Sequence, residues 1–147
     1  MQHFIFNLAD GDRKRARSLL LAKRWTVGRG ERHHDRLAPG DLALIFVALT
    51  REFVGRAEIE TAFLDPMPAD PATPGPAVSG VLLGGIDDWT SAVPLDVAVH
   101  RIDPDGSNPY VQANAAGFPR GVMQITVKEY DIVMSLRDRS DGVSTVR

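Results

Sequence analysis

Trp25 and Thr26 are the residues of this chain whose types and spacing have the clearest chemical use. Two basic residues directly precede Trp25, and Thr26 leads into a glycine-containing loop. An aromatic side chain beside cationic groups is how proteins hold an unstacked nucleobase and its phosphates. We therefore interpret Trp25 as an exposed stacking platform and the Thr26 hydroxyl as a polar contact to the base. The alternative is that Trp25 closes the hydrophobic core at a helix end.

Positive charge is concentrated between residues 13 and 36. This segment holds nine Lys and Arg residues against two acidic ones, a net charge of +7, although the whole chain carries −2. Such a segment predicts salt-sensitive phosphate contacts that do not depend on base sequence. The alternative is a solvated helix face, which suits residues 13–17 well. We assign phosphate binding to the arginines that neighbour Trp25, namely Arg24, Arg29, Arg32 and Arg36.

A second tryptophan, Trp89, follows two glycines and two aspartates in a stretch that reads as a polar loop. It would be either a lid over a pocket or a plug on the sheet edge. If both tryptophans flank one cavity, they would sandwich a flat ring. A later loop, which contains Tyr110, Asn114 and Phe118, would either close over a ligand or wrap the sheet, and wrapping is favoured.

Metal-binding and catalytic patterns are missing from the sequence. The chain has no Cys, which excludes disulfides, thiolate zinc sites and cysteine nucleophiles. His33 and His34 are adjacent, so on a helical turn their side chains point about 100° apart and rarely bind one ion together. None of the common hydrolase, metalloprotease, phosphate-loop or dinucleotide motifs occurs. We expect no metal, no cofactor and no enzymatic activity.

The composition bounds the class of protein. Hydrophobic residues make up 44% and charged residues 24% of 147 residues, which is typical of one globular domain. No stretch approaches the ~20 apolar residues of a membrane span, and the first residues lack the features of a signal peptide. We therefore expect a cytoplasmic protein with no membrane partner.

Local patterns predict the elements that position these residues. Gly55 suggests a bulge in its strand, and five prolines between Pro66 and Pro76 mark an irregular loop. The predicted strands are His3–Leu8, Leu42–Ala48, Glu52–Glu60, Val78–Leu83 and Pro94–Ile102, with the second and third as an antiparallel hairpin. The predicted helices are Arg13–Lys23, capped by Asp12, and Thr126 to about Leu136, with Glu129 completing a capping box and with Val127, Tyr130, Val133 and Met134 buried.

This order of elements favours an α+β domain with a small curled or barrel-like sheet. We assign residues 1–137 to a single domain and residues 138–147 to a C-terminal tail.

Taken in order, these segments resemble the EVE domain, a PUA-like family related to the YTH and ASCH domains. The matching segments are HFIFNL, KRWTVG, PGDLALIFVA, EFVGRAEI, PLDVAVHRI and GVMQITVKEYDIV. The resemblance implies a PUA-like curled mixed β-sheet or barrel with flanking helices, and a pocket that takes a base. It implies that Trp25 and Thr26 line this pocket, that Asn7 contacts the base edge and that Trp89 supplies a second wall. The Pro-rich loop departs from the compact form of the family.

The same resemblance implies a nucleic-acid-binding module that accommodates a modified base, for example a methylated one, while the basic loop holds the flanking phosphates. Because EVE relatives are thought to read modified bases in DNA, modified DNA is favoured over RNA. A restriction-modification context, with a nuclease or another effector as partner, would follow. The alternative is a small ASCH-like enzyme that acts on a nucleotide, an RNA or a small amide through Lys23, Thr26 or Asp88.

Overall fold

The structure, a computed structural model, describes residues 1–70, 75–109, 111–112 and 121–146, with side chains as far as residue 137. Pro71, Pro74, Tyr110, Asn114 and Phe118 lie outside the described residues, as do the side chains of the expected C-terminal tail.

Six strands of the described chain form one mixed sheet. They are β1 (His3–Leu8), β2 (Arg24–Thr26), β3 (Leu42–Val47), β4 (Glu52–Ile59), β5 (Gly80–Pro94) and β6 (Val122–Ile125). Their order across the sheet is β2-β5-β4-β3-β1-β6. The pair β1–β3 is parallel and the other neighbours are antiparallel. The expected hairpin of β3 and β4 is therefore confirmed.

Gly55 lies where the sheet bends, as the sequence predicts. The pairing of β4 with β5 shifts register between Phe53 and Gly55. A Cβ atom at Gly55 would come within 2.6 Å of the Asp87 carbonyl oxygen, so the two backbones approach too closely for a side chain.

Three α-helices are described: α1 (Arg13–Leu21), α2 (Leu95–Ile102) and α3 (Val127–Val146), together with a 3₁₀ turn at His34–Arg36. The Asp12 carboxylate accepts a hydrogen bond from the Arg15 N–H at 3.0 Å and so caps α1. The capping box of α3 is also confirmed, since the Glu129 N–H donates to Thr126 Oγ1 at 3.1 Å and the Thr126 N–H donates to Glu129 Oε1 at 2.9 Å. None of the described helices has the length and apolar character needed to cross a membrane.

Three expectations about the helices are wrong. Residues 95–102 form α2 rather than a strand, because Leu95 and Ala98 also fit a helical stripe and both are buried, whereas Val97 is 47% exposed. Val127, expected in the core, is 56% exposed at the start of α3. The backbone of α3 continues to Val146, beyond the expected end at Leu136.

The two faces of the sheet bury separate clusters. Successive residues of a strand point to opposite faces, so Phe6 enters one cluster and Ile5 the other. The inner cluster contains Trp25 and is covered by Ala16 and Leu20 of α1. The outer cluster contains aromatic residues of β3–β5 and is covered by α2 and α3. This architecture confirms the expected α+β class, a curled mixed sheet with flanking helices.

We expect Gly80→Ala to destabilise the protein by about 2 kcal/mol or more. The backbone of Gly80 has φ +155°, and a Cβ atom there would overlap the Trp25 carbonyl oxygen across the β2–β5 pair. Equilibrium unfolding in urea measures this loss. Gly75→Ala is the matched control, because its Cβ atom would meet no atom within 4 Å. Equal stability of the two variants would contradict the close packing of β2 on β5.

Candidate functional site

The edge strand β2 carries Trp25 and Thr26, and its pairing decides which groups face outward. The Leu83 N–H donates to the Lys23 carbonyl at 2.9 Å, which makes these residues a hydrogen-bonded pair. Hydrogen-bonded and non-bonded pairs alternate along an antiparallel ladder. The next bonded pair is therefore Trp25 with Val81, and the backbone of Trp25 is directed towards β5.

The backbone N–H and C=O groups of Arg24 and Thr26 consequently point to the outer edge of the sheet. Gly80, which faces Thr26 in the ladder, is bonded in the opposite direction, exchanging hydrogen bonds of 2.8 and 2.9 Å with Leu64. Across the described chain, no hydrogen bond reaches the four edge groups of Arg24 and Thr26. An edge of this kind offers donors and acceptors to another molecule.

The Trp25 ring itself is not exposed. It is 4% exposed and lies near-parallel to Phe6, with 5.7 Å between ring centroids and 21° between planes. Trp25 therefore closes the inner cluster, and the expectation of an exposed platform is wrong. The reason is the ladder alternation, which turns this one side chain of β2 inward while Thr26 stays exposed.

Trp89 lies on the other face of the sheet. It belongs to β5 rather than to a polar loop, is 1% exposed in the outer cluster, and donates from Nε1 to Asp87 Oδ2 at 3.2 Å. Since Trp25 belongs to the inner cluster, the expectation that the two tryptophans border one cavity is wrong.

Asn7 is also separated from Trp25. It pairs with Phe46 in the parallel ladder, and alternation along β1 gives it the outer face, whereas the neighbouring Phe6 faces inward. Its side chain is buried, and neither amide atom has a hydrogen-bond partner in the structure as described. Of the four residues expected in one base pocket, only Trp25 and Thr26 lie together.

The four arginines expected to bind phosphate differ in their contacts. Arg29 forms an ion pair with Asp65, with 3.3 Å between Nη2 and Oδ1, and Arg36 donates to Gln124 Oε1 at 3.1 Å. The half-buried Arg24 and the exposed Arg32 have no ion pair with any described residue.

His33 in this loop is affected by burial and by the nearby arginines. Burial lowers the pKa of His33 below its ordinary value, and the guanidinium groups of Arg36 and Arg32 lower it further. His33 is therefore neutral near pH 7, and a bound anion would favour its protonation. No group of three or more His, Asp or Glu side chains in the described ranges could hold a metal ion.

The first part of the basic segment is largely a solvated helix face, since Lys14, Arg15 and Arg17 are exposed, but two of its arginines also contact β5. The Arg13 guanidinium donates to the carbonyl oxygens of Trp89 and Thr90, and Arg17 Nε lies 2.7 Å from Asp88 Oδ2. Both arginines fasten α1 to β5. The Asp88 carboxylate is paired with Arg17. The structure therefore gives no support to a catalytic site formed by Asp88, Lys23 and Thr26.

Sequence reasoning missed two neighbours of β2. Arg24 and Thr26 line a cleft that Arg15 of α1 and Met67 of the Pro-rich segment also border. Arg15 belongs to the basic segment of the sequence. Its position beside β2 depends on how α1 packs on the sheet, which the sequence does not show. Met67 is buried. In the sequence it is an apolar residue between two prolines, and this was the feature that could have indicated its burial.

Comparison with known proteins finds similarity in fold. No protein-family model matches the chain, and no curated protein does. The DUF55 domain of human thymocyte nuclear protein 1 has a TM-score of 0.64 at 15% identity, with 92% of this chain and 98% of that chain covered. A protein from Rhodopseudomonas palustris has a TM-score of 0.62 at 17% identity, with 94% of each chain covered.

A third similar structure is the YTH domain of the Zygosaccharomyces rouxii MRB1 protein, which was solved in complex with N6-methyladenosine RNA. Its TM-score is 0.58 at 13% identity, with 92% of this chain and 86% of that chain covered. The chain therefore shares its α+β fold with these DUF55 and YTH domains.

Proposed function

We propose that the protein is a nucleic-acid-binding module that receives one unstacked, modified base at the edge of β2. The observation that carries the proposal is the outward-facing backbone of Arg24 and Thr26, which offers N–H donors and C=O acceptors beside an arginine without an ion pair among the described residues. The fold similarity to a YTH domain solved with RNA supports it.

The edge groups suit the chemistry of a base. A nucleobase presents alternating donors and acceptors, and single-stranded nucleic acid is read by hydrogen bonds to those edges. The N–H and C=O of Thr26 are one donor and one acceptor on the same residue. Trp25 is the adjacent aromatic ring, and a base that stacks on it has to enter where Phe6 now packs. A methyl group on the base would add apolar area to this contact.

The basic loop would hold the flanking phosphates. Arg24 and Arg32 are the members of the expected set that have no described ion pair, so they are the first candidates. Arg29 would have to exchange Asp65 for a phosphate, and Arg36 would have to leave Gln124. Arginine suits this role because its planar donors bind phosphate oxygens in pairs.

The proposal also concerns which nucleic acid is bound, DNA or RNA, and whether the base is modified. The resemblance to EVE domains favours modified DNA and an effector partner such as a nuclease, whereas the YTH neighbour was solved with RNA. Binding of single-stranded DNA and RNA carrying N6-methyladenine, 5-methylcytosine or no modification tests both points. Equal affinity for modified and unmodified strands would contradict base selection, and no binding to any strand would contradict the function.

Fluorescence tests whether the base reaches Trp25. The chain has two tryptophans, so Trp89→Phe leaves Trp25 as the single reporter. We expect a modified oligonucleotide to quench this emission, because a stacked base contacts the indole face. The matched control is Trp25→Phe, which keeps Trp89 on the opposite face of the sheet. Equal quenching in both variants would contradict a base at β2.

Removal of Arg24 tests its phosphate contact. We expect Arg24→Ala to weaken binding to modified and unmodified strands alike and to reduce the slope of log affinity against log salt by about 0.7 for single strands. Fluorescence anisotropy over a series of salt concentrations measures both effects. Arg101→Ala removes the same charge from the exposed face of α2 and should change neither quantity.

The ion pair of Arg29 with Asp65 should compete with phosphate. We expect Asp65→Asn to strengthen oligonucleotide binding and to steepen its salt dependence, because the freed guanidinium becomes available to the strand. The control is Asp96→Asn, which removes an exposed carboxylate from α2. Unchanged binding by Asp65→Asn would mean that Arg29 does not contact the nucleic acid.

A further inference from the structure

A cleft lies beside the edge of β2, and α1 and residues 67–70 and 75–78 also line it. Its volume is about 470 Å³, which is within the range of small-molecule sites. Arg24 and Thr26 border it, and the backbone of the same residues forms the free edge described above. The cleft and the edge are therefore contiguous.

The walls of the cleft differ in character. The lining contributed by α1 and β2 includes the cationic Arg15 and Arg24 and the hydroxyl residues Ser18 and Thr26. The facing wall is largely apolar, with Met67, Pro68 and Val78. Asp70 also lines the cleft. Neither Arg15 nor Arg24 has an ion pair among the residues described, so both guanidinium groups remain available to an anion.

We propose that this cleft is a subsite for the nucleotide adjacent to the recognised base. Arg15 and Arg24 bind the phosphodiester that joins the two nucleotides, and the neighbouring ring lies against Met67, Pro68 and Val78. Because Arg24 and Thr26 contribute to both the edge and the cleft, two consecutive units of one strand reach the two places together. The inference rests on the proposed function, since it needs a base at the edge of β2.

A nucleotide fits this combination better than an extended peptide. A peptide that joins a sheet edge gains its affinity from a row of backbone hydrogen bonds, and β2 has only three residues. Two arginines opposite an apolar surface instead match a phosphate joined to a flat ring. The cleft therefore extends recognition from one base to a dinucleotide.

Calorimetric titration with short ligands tests the subsite. The probes are N6-methyladenosine and 5-methyl-2′-deoxycytidine, each as the free nucleoside and as a dinucleoside monophosphate extended on its 5′ or its 3′ side. We expect one dinucleotide to bind about tenfold or more tightly than its nucleoside, because a charge-assisted phosphate contact is added. Arg15→Ala should abolish most of this gain and leave nucleoside affinity unchanged. Lys14→Ala, a change at the neighbouring exposed position of α1, should keep the gain.

A second pair of variants tests the apolar wall. Val78 is 40% exposed and Val97 is 47% exposed, so either accepts a polar side chain with little effect on folding. Val78→Asp places a carboxylate in the cleft and should remove the dinucleotide gain, whereas Val97→Asp on α2 should keep it. If the gain persists in both Arg15→Ala and Val78→Asp, the subsite is wrong although the proposed function stands. If neither nucleosides nor oligonucleotides bind the unaltered protein, the proposed function itself is wrong.

Discussion

The antiparallel pairing of β2 with β5 is the constraint on which the rest of the site depends. It directs the backbone of Trp25 towards Val81 and its ring into the inner cluster, where Phe6 packs against it. The same alternation leaves the polar backbone groups of Arg24 and Thr26 at the free edge. Three consecutive residues therefore close the core and form the candidate site, so a change in this pairing would alter both.

The positive charge of residues 13–36 is divided between structural and available groups. Arg13 and Arg17 fasten α1 to β5, so they hold the helix that borders the cleft. Arg29 and Arg36 tie the following loop to Asp65 and Gln124. Arg24 and Arg32 have no described ion pair and can accept a phosphate at the smallest cost. The net charge of a segment thus overstates what it can offer to a ligand, because part of that charge is already paired.

The sequence predicted best what short-range chemistry determines. Asp12 and Thr126 cap their helices through hydrogen bonds to residues three positions away, and Gly55 marks its bend through the lack of a side chain. Residues 95–102 could not be assigned in this way, because their apolar positions satisfy the period of a strand and that of a helix. The choice between the two depends on packing against α3 and the sheet.

The site was predicted in part for a similar reason. Arg24 and Thr26 follow from local composition, and the structure brings them together at one edge. The shared pocket of Trp25, Asn7 and Trp89 did not follow, because the face on which a strand residue lies depends on register. A shift of one residue reverses it, and the sequence does not display register.

A base that stacks on Trp25 has to compete with an interaction already present in the protein. The contact with Phe6 contributes about 0.5–1.5 kcal/mol beyond the area that it buries, and a stacked base contributes about 1–3 kcal/mol. Displacement of Phe6 also gives up the area that it buries, worth about 1.5–3 kcal/mol, so exchange of one partner for the other gives no net gain. Two hydrogen bonds from the base edge to the N–H and C=O of Thr26, at about 0.5–1.5 kcal/mol each, are then the interactions that favour binding. In the proposed complex, discrimination between bases thus depends on the backbone of Thr26, which a side-chain substitution does not remove.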